Sequence, residues 1–227
     1  MSAEPTSYTQ IPRATLWLLE GDEFVMGGTA LDAQPTFTAQ VDSFYIGKTA
    51  ITNEQFEAFN PDFSRGAYSR GDDDPAVGIS LLDASEYCAW YSRISKKHFR
   101  LPTEMEWEFA CRGGTTGRYF VGDDQAGEYL WSAENSDGHA HAADTLKTNP
   151  AGLLNMLGNV WEWTCSSHRP YPLPEAWKAE PIESDKLYVL RGGSFREPLA
   201  EIGCGIRRAE RPDLRMDNAG FRIVRSL

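Results

Sequence analysis

The stretch Gly152-Leu-Leu-Asn155-Met-Leu-Gly158-Asn159-Val160-Trp161-Glu162-Trp163 sets a Gly-Asn turn ahead of two tryptophans that bracket one carboxylate. Side chains of a strand alternate between faces, so Trp161 and Trp163 share one face and Glu162 takes the other. Two large indoles on one face need a core to lie against. Glu162 has two readings. It faces water, because charges are rarely buried, or it joins the Asn155 amide and the carbonyls of the Gly158-Asn159 turn in an all-oxygen set suited to a hard cation such as calcium.

A chain of 227 residues suits one large domain with a sizeable core. No linker or fixed-period repeat divides it, so we expect a loose segment over 1–15 and a single domain over 16–227. A formal charge of -11 and a pI near 4.8 repel phosphate backbones and anionic lipid, which excludes nucleic acid and membrane surfaces as partners. No apolar run could span a bilayer, and Met1-Ser-Ala-Glu-Pro5 lacks the features of a signal peptide. Cys88, Cys111, Cys165 and Cys204 form no Cys-x-x-Cys pair, which points to buried thiols and a cytoplasmic setting, although their even number leaves pairing open.

Leu16 to Gly28 reads as a hairpin about Gly21-Asp22, and Val41 to Ile46 as a further strand. Three capping boxes follow: Thr52-Asn-Glu-Gln55, Ser80-Leu-Leu-Asp83 and Thr103-Glu-Met-Glu106, each opening a helix. The second helix carries Ala84, Tyr87, Cys88, Tyr91 and Ile94 at helical spacing, and the third carries Trp107, Ala110 and Cys111 and stops at Gly113-Gly114. Residues 60–78 read as an acidic surface loop, and from 115 onward long loops dominate. His139-x-His141 lies in such a loop without a third metal ligand, so both histidines are expected in solvent. Tyr188–Phe195 and Asn218–Val224 read as strands with loop between them.

Phe-Val-Met-Gly, Arg-Leu-Pro-Thr-Glu-Met-Glu-Trp-Glu-Phe-Ala, Gly-Asn-Val-Trp-Glu-Trp, Arg-Gly-Gly-Ser-Phe and Gly-Phe-Arg occur in the order seen in the sulfatase-modifying-factor family, whose namesake is the formylglycine-generating enzyme. The resemblance runs from about residue 16 to 225. It implies an α+β domain related to the C-type-lectin fold and rich in loops. It also implies one calcium held by the side chains of Asn155 and Glu162 and the carbonyls of Gly158 and Val160. A second family calcium would use Asn135 and Ser136 with an acidic residue of a following loop, which is shortened here, with Asp144 as a substitute.

Oxidases of that family hold copper(I) between two thiolates, a pairing that suits a soft ion. The matching positions here are Glu197 and Ile202. Cys204 is the only cysteine nearby and is a weak candidate for a lone nucleophile with Arg207 and Arg208 beside it. Copper and formylglycine synthesis are therefore not expected. The expectation is a calcium-stabilised binding module that grips an acidic or extended peptide of a partner protein on a groove of Trp131, Arg196, Arg207 and Arg208, with His168 near that face. The alternative is a metal-dependent oxidoreductase with another metal arrangement. Arg191 and Arg222, in strand-like runs, are expected to tie loops to carboxylates.

Overall fold

A computed structural model describes residues 13–174 and 181–227, so most of the segment expected to be loose lies outside the described residues. Three small sheets and three helices carry long connections, an α+β arrangement. Strand β1 (Leu16–Leu19) pairs antiparallel with β4 (Phe44–Gly47), which also pairs with β9 (Val224–Ser226). Strands β2 (Glu23–Met26) and β3 (Phe37–Gln40) form a two-stranded ribbon. The third sheet has the order β7 (Arg207–Glu210), β6 (Tyr188–Arg191), β5 (Trp161–Ser167) and β8 (Ala219–Gly220), with β5 and β8 parallel.

Two local expectations fail for one reason. Leu16–Gly28 is not a hairpin, because β1 and β2 belong to different sheets. At Gly21 the chain runs against the link between β3 and β4, so closely that an added Cβ would lie 2.2 Å from the Val41 carbonyl oxygen. Val41 donates its N–H to the Asp22 carbonyl instead of continuing into β4, so the strand expected from Val41 begins at Phe44.

All three capping boxes form. Helices α1 (Asn53–Glu57), α2 (Leu81–Ser95) and α3 (Glu104–Arg112) open with reciprocal bonds between cap and third residue. Helix α2 buries Leu81, Ala84, Tyr87, Cys88 and Tyr91, and Tyr87 meets Phe221 edge-on at 5.3 Å. Helix α3 ends on Gly113 with φ of 52°, the left-handed cap that glycine accepts without strain.

Helix α3 departs from the usual amphipathic pattern because Glu104, Glu106, Glu108 and Arg112 are buried along with its apolar residues. Burying a charge is costly unless the interior supplies a partner. Arg207 forks onto Glu104 with Nε–Oε1 at 2.6 Å and Nη2–Oε2 at 3.0 Å. Arg191 bridges Glu104 and Glu108, Arg112 pairs with Glu108, and the Tyr171 hydroxyl donates to Glu104 at 3.1 Å. Three guanidiniums thus converge on two carboxylates.

That imbalance gives a prediction. Glu108→Gln leaves Arg112 and Arg191 without their shared counter-charge and should lower stability to urea by about 3 to 5 kcal/mol, whereas Arg191→Met, which leaves two charges of each sign, should cost less. Equal losses in the two variants would show that the carboxylate is not the limiting charge.

Candidate functional site

The Gly158-Asn159 turn is the hinge of the loop-rich face. Gly158 has φ of 67°, and an added Cβ would sit 2.1 Å from the Trp131 carbonyl oxygen, so only glycine lets the two segments touch. Asn159 is then bonded on every side. Its N–H donates to the Trp131 carbonyl at 2.8 Å, its carbonyl accepts from Phe195 N–H at 2.8 Å, and its amide exchanges two bonds of 2.9 Å with the His141 backbone. One turn therefore positions the 131–141 loop and the segment after Gly-Gly-Ser.

That face carries two aromatic groups. The Arg196 guanidinium lies 4.5 Å from the Tyr68 ring centroid and donates to Asp217 at 2.6 Å. The His141 ring stacks on Trp131 at 3.9 Å, and His139 lies 4.2 Å from His141. His139 is exposed as expected, but His141 is half-buried, with its Nε2 2.8 Å from the Ser136 carbonyl. Tyr68 lay in a segment read only as surface loop, and its exposed ring at 40% is the signal that the loop does more than cover the core.

The expected groove is corrected at two residues. Arg207 and Arg208 lie on β7, a strand where only loop was expected. Arg207 is 7% exposed and committed to Glu104, so it cannot grip a ligand. Arg208 pairs with Glu210 and lies 6.0 Å from the Trp161 ring, whereas Arg196 pairs with Asp217 and Trp131 stacks on His141. His168 is also elsewhere, at the end of β5, where burial and then the Arg207 guanidinium lower its pKa.

The thiolate positions hold no sulfur. Glu197 accepts the Ser194 hydroxyl at 2.5 Å, Asn218 donates to the same Ser194 oxygen at 2.9 Å, and Ile202 is buried. Cys204 is fully buried with its sulfur 3.5 Å from that of Cys111, so its expected activation by Arg207 and Arg208 is replaced by core packing. Burial, and then the hydrogen bond to Cys204, pushes the Cys111 thiol well up, and burial pushes Cys165 up to about 12. A thiol held protonated is a poor nucleophile or metal ligand.

Glu162 does not face water, being 1% exposed. Its side chain receives a fork from Arg222, Nε–Oε2 and Nη2–Oε1 both at 2.6 Å, and the Trp107 indole N–H at 2.7 Å. Arg222, expected to tie loops to a carboxylate, does so here, and Arg191 does the same at α3. Beside Glu162 lies a cavity of about 10 Å³ bordered by Asp73, Asn155, Asn159 and Val160, near the size of one water or ion. Both amide atoms of Asn155 are buried without a partner, and neither the Gly158 nor the Val160 carbonyl accepts a backbone hydrogen bond among the described residues. Orphaned buried polar atoms call for a missing partner. Of the calcium set implied by the resemblance, Asn155, Val160 and Glu162 border this cavity, with the Glu162 oxygens also paired to Arg222 and Trp107.

Asn135 and Ser136 do not make a comparable set. Asn135 Oδ1 accepts the Ser132 N–H at 2.8 Å while its amide nitrogen donates to the carbonyls of Gly127 and Leu130. Ser136 donates to the Phe195 carbonyl at 3.0 Å. Both are turn locks, and among the described residues neither is hydrogen-bonded to a carboxylate of the following loop. Asp144 sits in a separate short helical turn.

A family model described as a sulfatase-modifying factor enzyme 1-like domain matches residues 2–227. The chain is similar to a formylglycine-generating enzyme of Streptomyces coelicolor, 29% identical over 91% of this chain and 87% of that protein. It is also similar to an inactive C-alpha-formylglycine-generating enzyme 2 of Mus musculus, 32% identical over 67% of this chain and 49% of that protein. The structure of PvdO from Pseudomonas aeruginosa superposes with a TM-score of 0.85 over the whole of both chains at 23% identity, a likeness of fold. Since the family model spans nearly every residue, the chain belongs to the sulfatase-modifying factor enzyme 1-like family, that of the formylglycine-generating enzymes.

Proposed function

We propose that this chain is a binding or accessory member of its family, one that recognises an extended, acidic segment of a partner protein instead of oxidising a cysteine. The observation that carries the reading is Glu197, which stands where the oxidases place their first copper thiolate and accepts the Ser194 hydroxyl at 2.5 Å. A carboxylate is a hard ligand and poorly matched to copper(I). Cys111 and Cys204 bring two sulfurs together, but both are fully buried and offer a substrate thiol no approach. The similarity to a mouse protein named as inactive supports the same reading.

The peptide would lie along Tyr68, Arg196 and Trp131. Arg196 presents a guanidinium held by an aromatic ring and an exposed Asp217, a partner that a ligand carboxylate can displace at little cost because exposed ion pairs are weak. Four free thiols support a reducing, cytoplasmic setting as part of this reading.

Two outcomes test recognition against oxidation. Aerobic incubation with copper and a thiol peptide of the sulfatase type should give no aldehyde by mass spectrometry and no oxygen uptake; bound copper or iron with oxygen uptake would instead establish the oxidoreductase alternative. Peptides selected on the chain from a random display library should be rich in Asp and Glu, and Arg196→Ala should weaken them by about 1 to 3 kcal/mol, the scale of a lost charged hydrogen bond. Selected peptides indifferent to both Arg196→Ala and Tyr68→Ala would place recognition on another surface.

Calcium is the second part of the proposal. Asn155 and Glu162 would supply its side-chain oxygens and Gly158 and Val160 its carbonyls, and the ion would brace the turn that organises the face. Glu162→Ala also breaks the Arg222 pair, so Asn155→Gly is the cleaner variant; Asn155 has φ of 49°, a conformation glycine accepts readily. With calcium bound, Asn155→Gly should melt lower and lose sensitivity to chelator. If the site holds no ion, removing an orphaned buried amide should leave stability unchanged or raise it, with the parent chain indifferent to chelator.

A further inference from the structure

A second cavity, of about 290 Å³, lies apart from the Tyr68–Arg196 face. Three backbone segments border it: Gly27-Gly28-Thr29-Ala30, Thr116-Gly117-Arg118 and Gly203 with Gly205-Ile206. Directly behind this wall stands the charged layer of α3. Arg191 donates to the carbonyls of Cys204 and Gly205, and Arg112, itself 3% exposed and bordering the cavity, donates to those of Gly27 and Gly117.

Two consequences follow from elementary chemistry. A trans peptide sets its C=O and N–H on opposite sides. With the Gly117 and Cys204 carbonyls drawn toward the guanidiniums, the N–H groups of Arg118 and Gly205 are turned away from that layer, and neither donates to a protein acceptor among the described residues. The layer is also unbalanced, with Arg112, Arg191 and Arg207 set against only Glu104 and Glu108. An uncompensated buried charge is costly and seeks a counter-ion. Arg118 adds a second guanidinium at the rim; its Nε donates to the Ile202 carbonyl at 3.0 Å and its Nη2 to that of Ala200, which leaves Nη1 unengaged among the described residues.

We propose that this cavity is a binding site for a compact oxyanion, a carboxylate or phosphate group, held by Arg118 and the outward N–H groups of Arg118 and Gly205, with the buried Arg112, itself committed to Glu108 and to the Gly27 and Gly117 carbonyls, supplying positive charge from behind the wall. Glycine lets the bordering segments pack closely on one another: an added Cβ would lie 2.8 Å from the Tyr119 carbonyl oxygen at Gly117, 3.1 Å from Arg118 Cγ at Gly203 and 2.8 Å from the Gly27 carbonyl oxygen at Gly205. The site stands independently of the peptide-recognition reading, since it shares no residue with that face. In a chain of net charge -11 it is a local reversal of sign that selects small anions over extended acidic surfaces.

The test is a titration of the full chain with inorganic phosphate, and separately with acetate, at constant ionic strength made up with chloride, followed by amide chemical shifts. Saturable shifts at Thr29, Gly117, Arg118, Gly203 and Gly205 are expected, and Arg118→Gln should weaken the binding by about tenfold or more. Saturation by phosphate alone assigns a phosphate-bearing ligand, and saturation by both assigns a carboxylate-tolerant one. Shifts reproduced by chloride, shifts centred elsewhere, or equal affinity in Arg118→Gln with an unchanged spectrum of the core would overturn the site.

Discussion

The bidentate pair between Glu162 and Arg222, with the Trp107 indole as third partner, joins the central strand, the last Gly-Phe-Arg segment and α3 at one buried point. Such a pair is weak evidence for stability but strong evidence for registry, because breaking it leaves an unpaired charge inside the core. With β5 fixed, the Gly158-Asn159 turn just before it is fixed as well, and that turn carries the whole loop-rich face through the bonds of Asn159. The oxygen cavity beside Glu162 shares this support. A bound cation there would stiffen the same turn.

The second charged layer works differently. Glu104 and Glu108 on α3 gather arginines from β6, β7 and the helix itself, so that strands far apart in sequence meet at one short helix. The excess guanidinium is not paired with any further described carboxylate, and the N–H groups of Arg118 and Gly205 donate to no protein acceptor among the described residues. Stability and recognition are thus linked, because the surplus charge left by folding is what an anion would complete.

The face around Tyr68, Arg196 and Trp131 and the absence of thiolates at Glu197 and Ile202 bear on activity together. At the positions where the resemblance places two copper thiolates this chain carries a carboxylate and an aliphatic side chain, and its four cysteines are buried. What Trp131 and Arg196 share is a loop-rich surface whose segments meet at the Gly158-Asn159 turn through the bonds of Asn159.

Local signals were legible wherever neighbouring residues complete the interaction. Each capping box, the Gly113 stop and the buried stripe of α2 involve partners within a turn or two, so Thr103, Ser80 and Tyr87 could be placed from sequence alone. The motif blocks likewise identified the family. Pairings across the chain were not legible. Nothing near Leu16 says that its partner is Gly47 instead of Met26, and nothing beside Arg207 says that Glu104, more than a hundred residues earlier, will take it out of the groove. Tertiary structure decided which charges are buried, because a carboxylate's environment is set by the segments packed on it and not by its neighbours in sequence. Glu162, Arg207 and Cys204 have the sequence context of a solvent-facing or reactive group, and only the fold supplies the partners that enclose them.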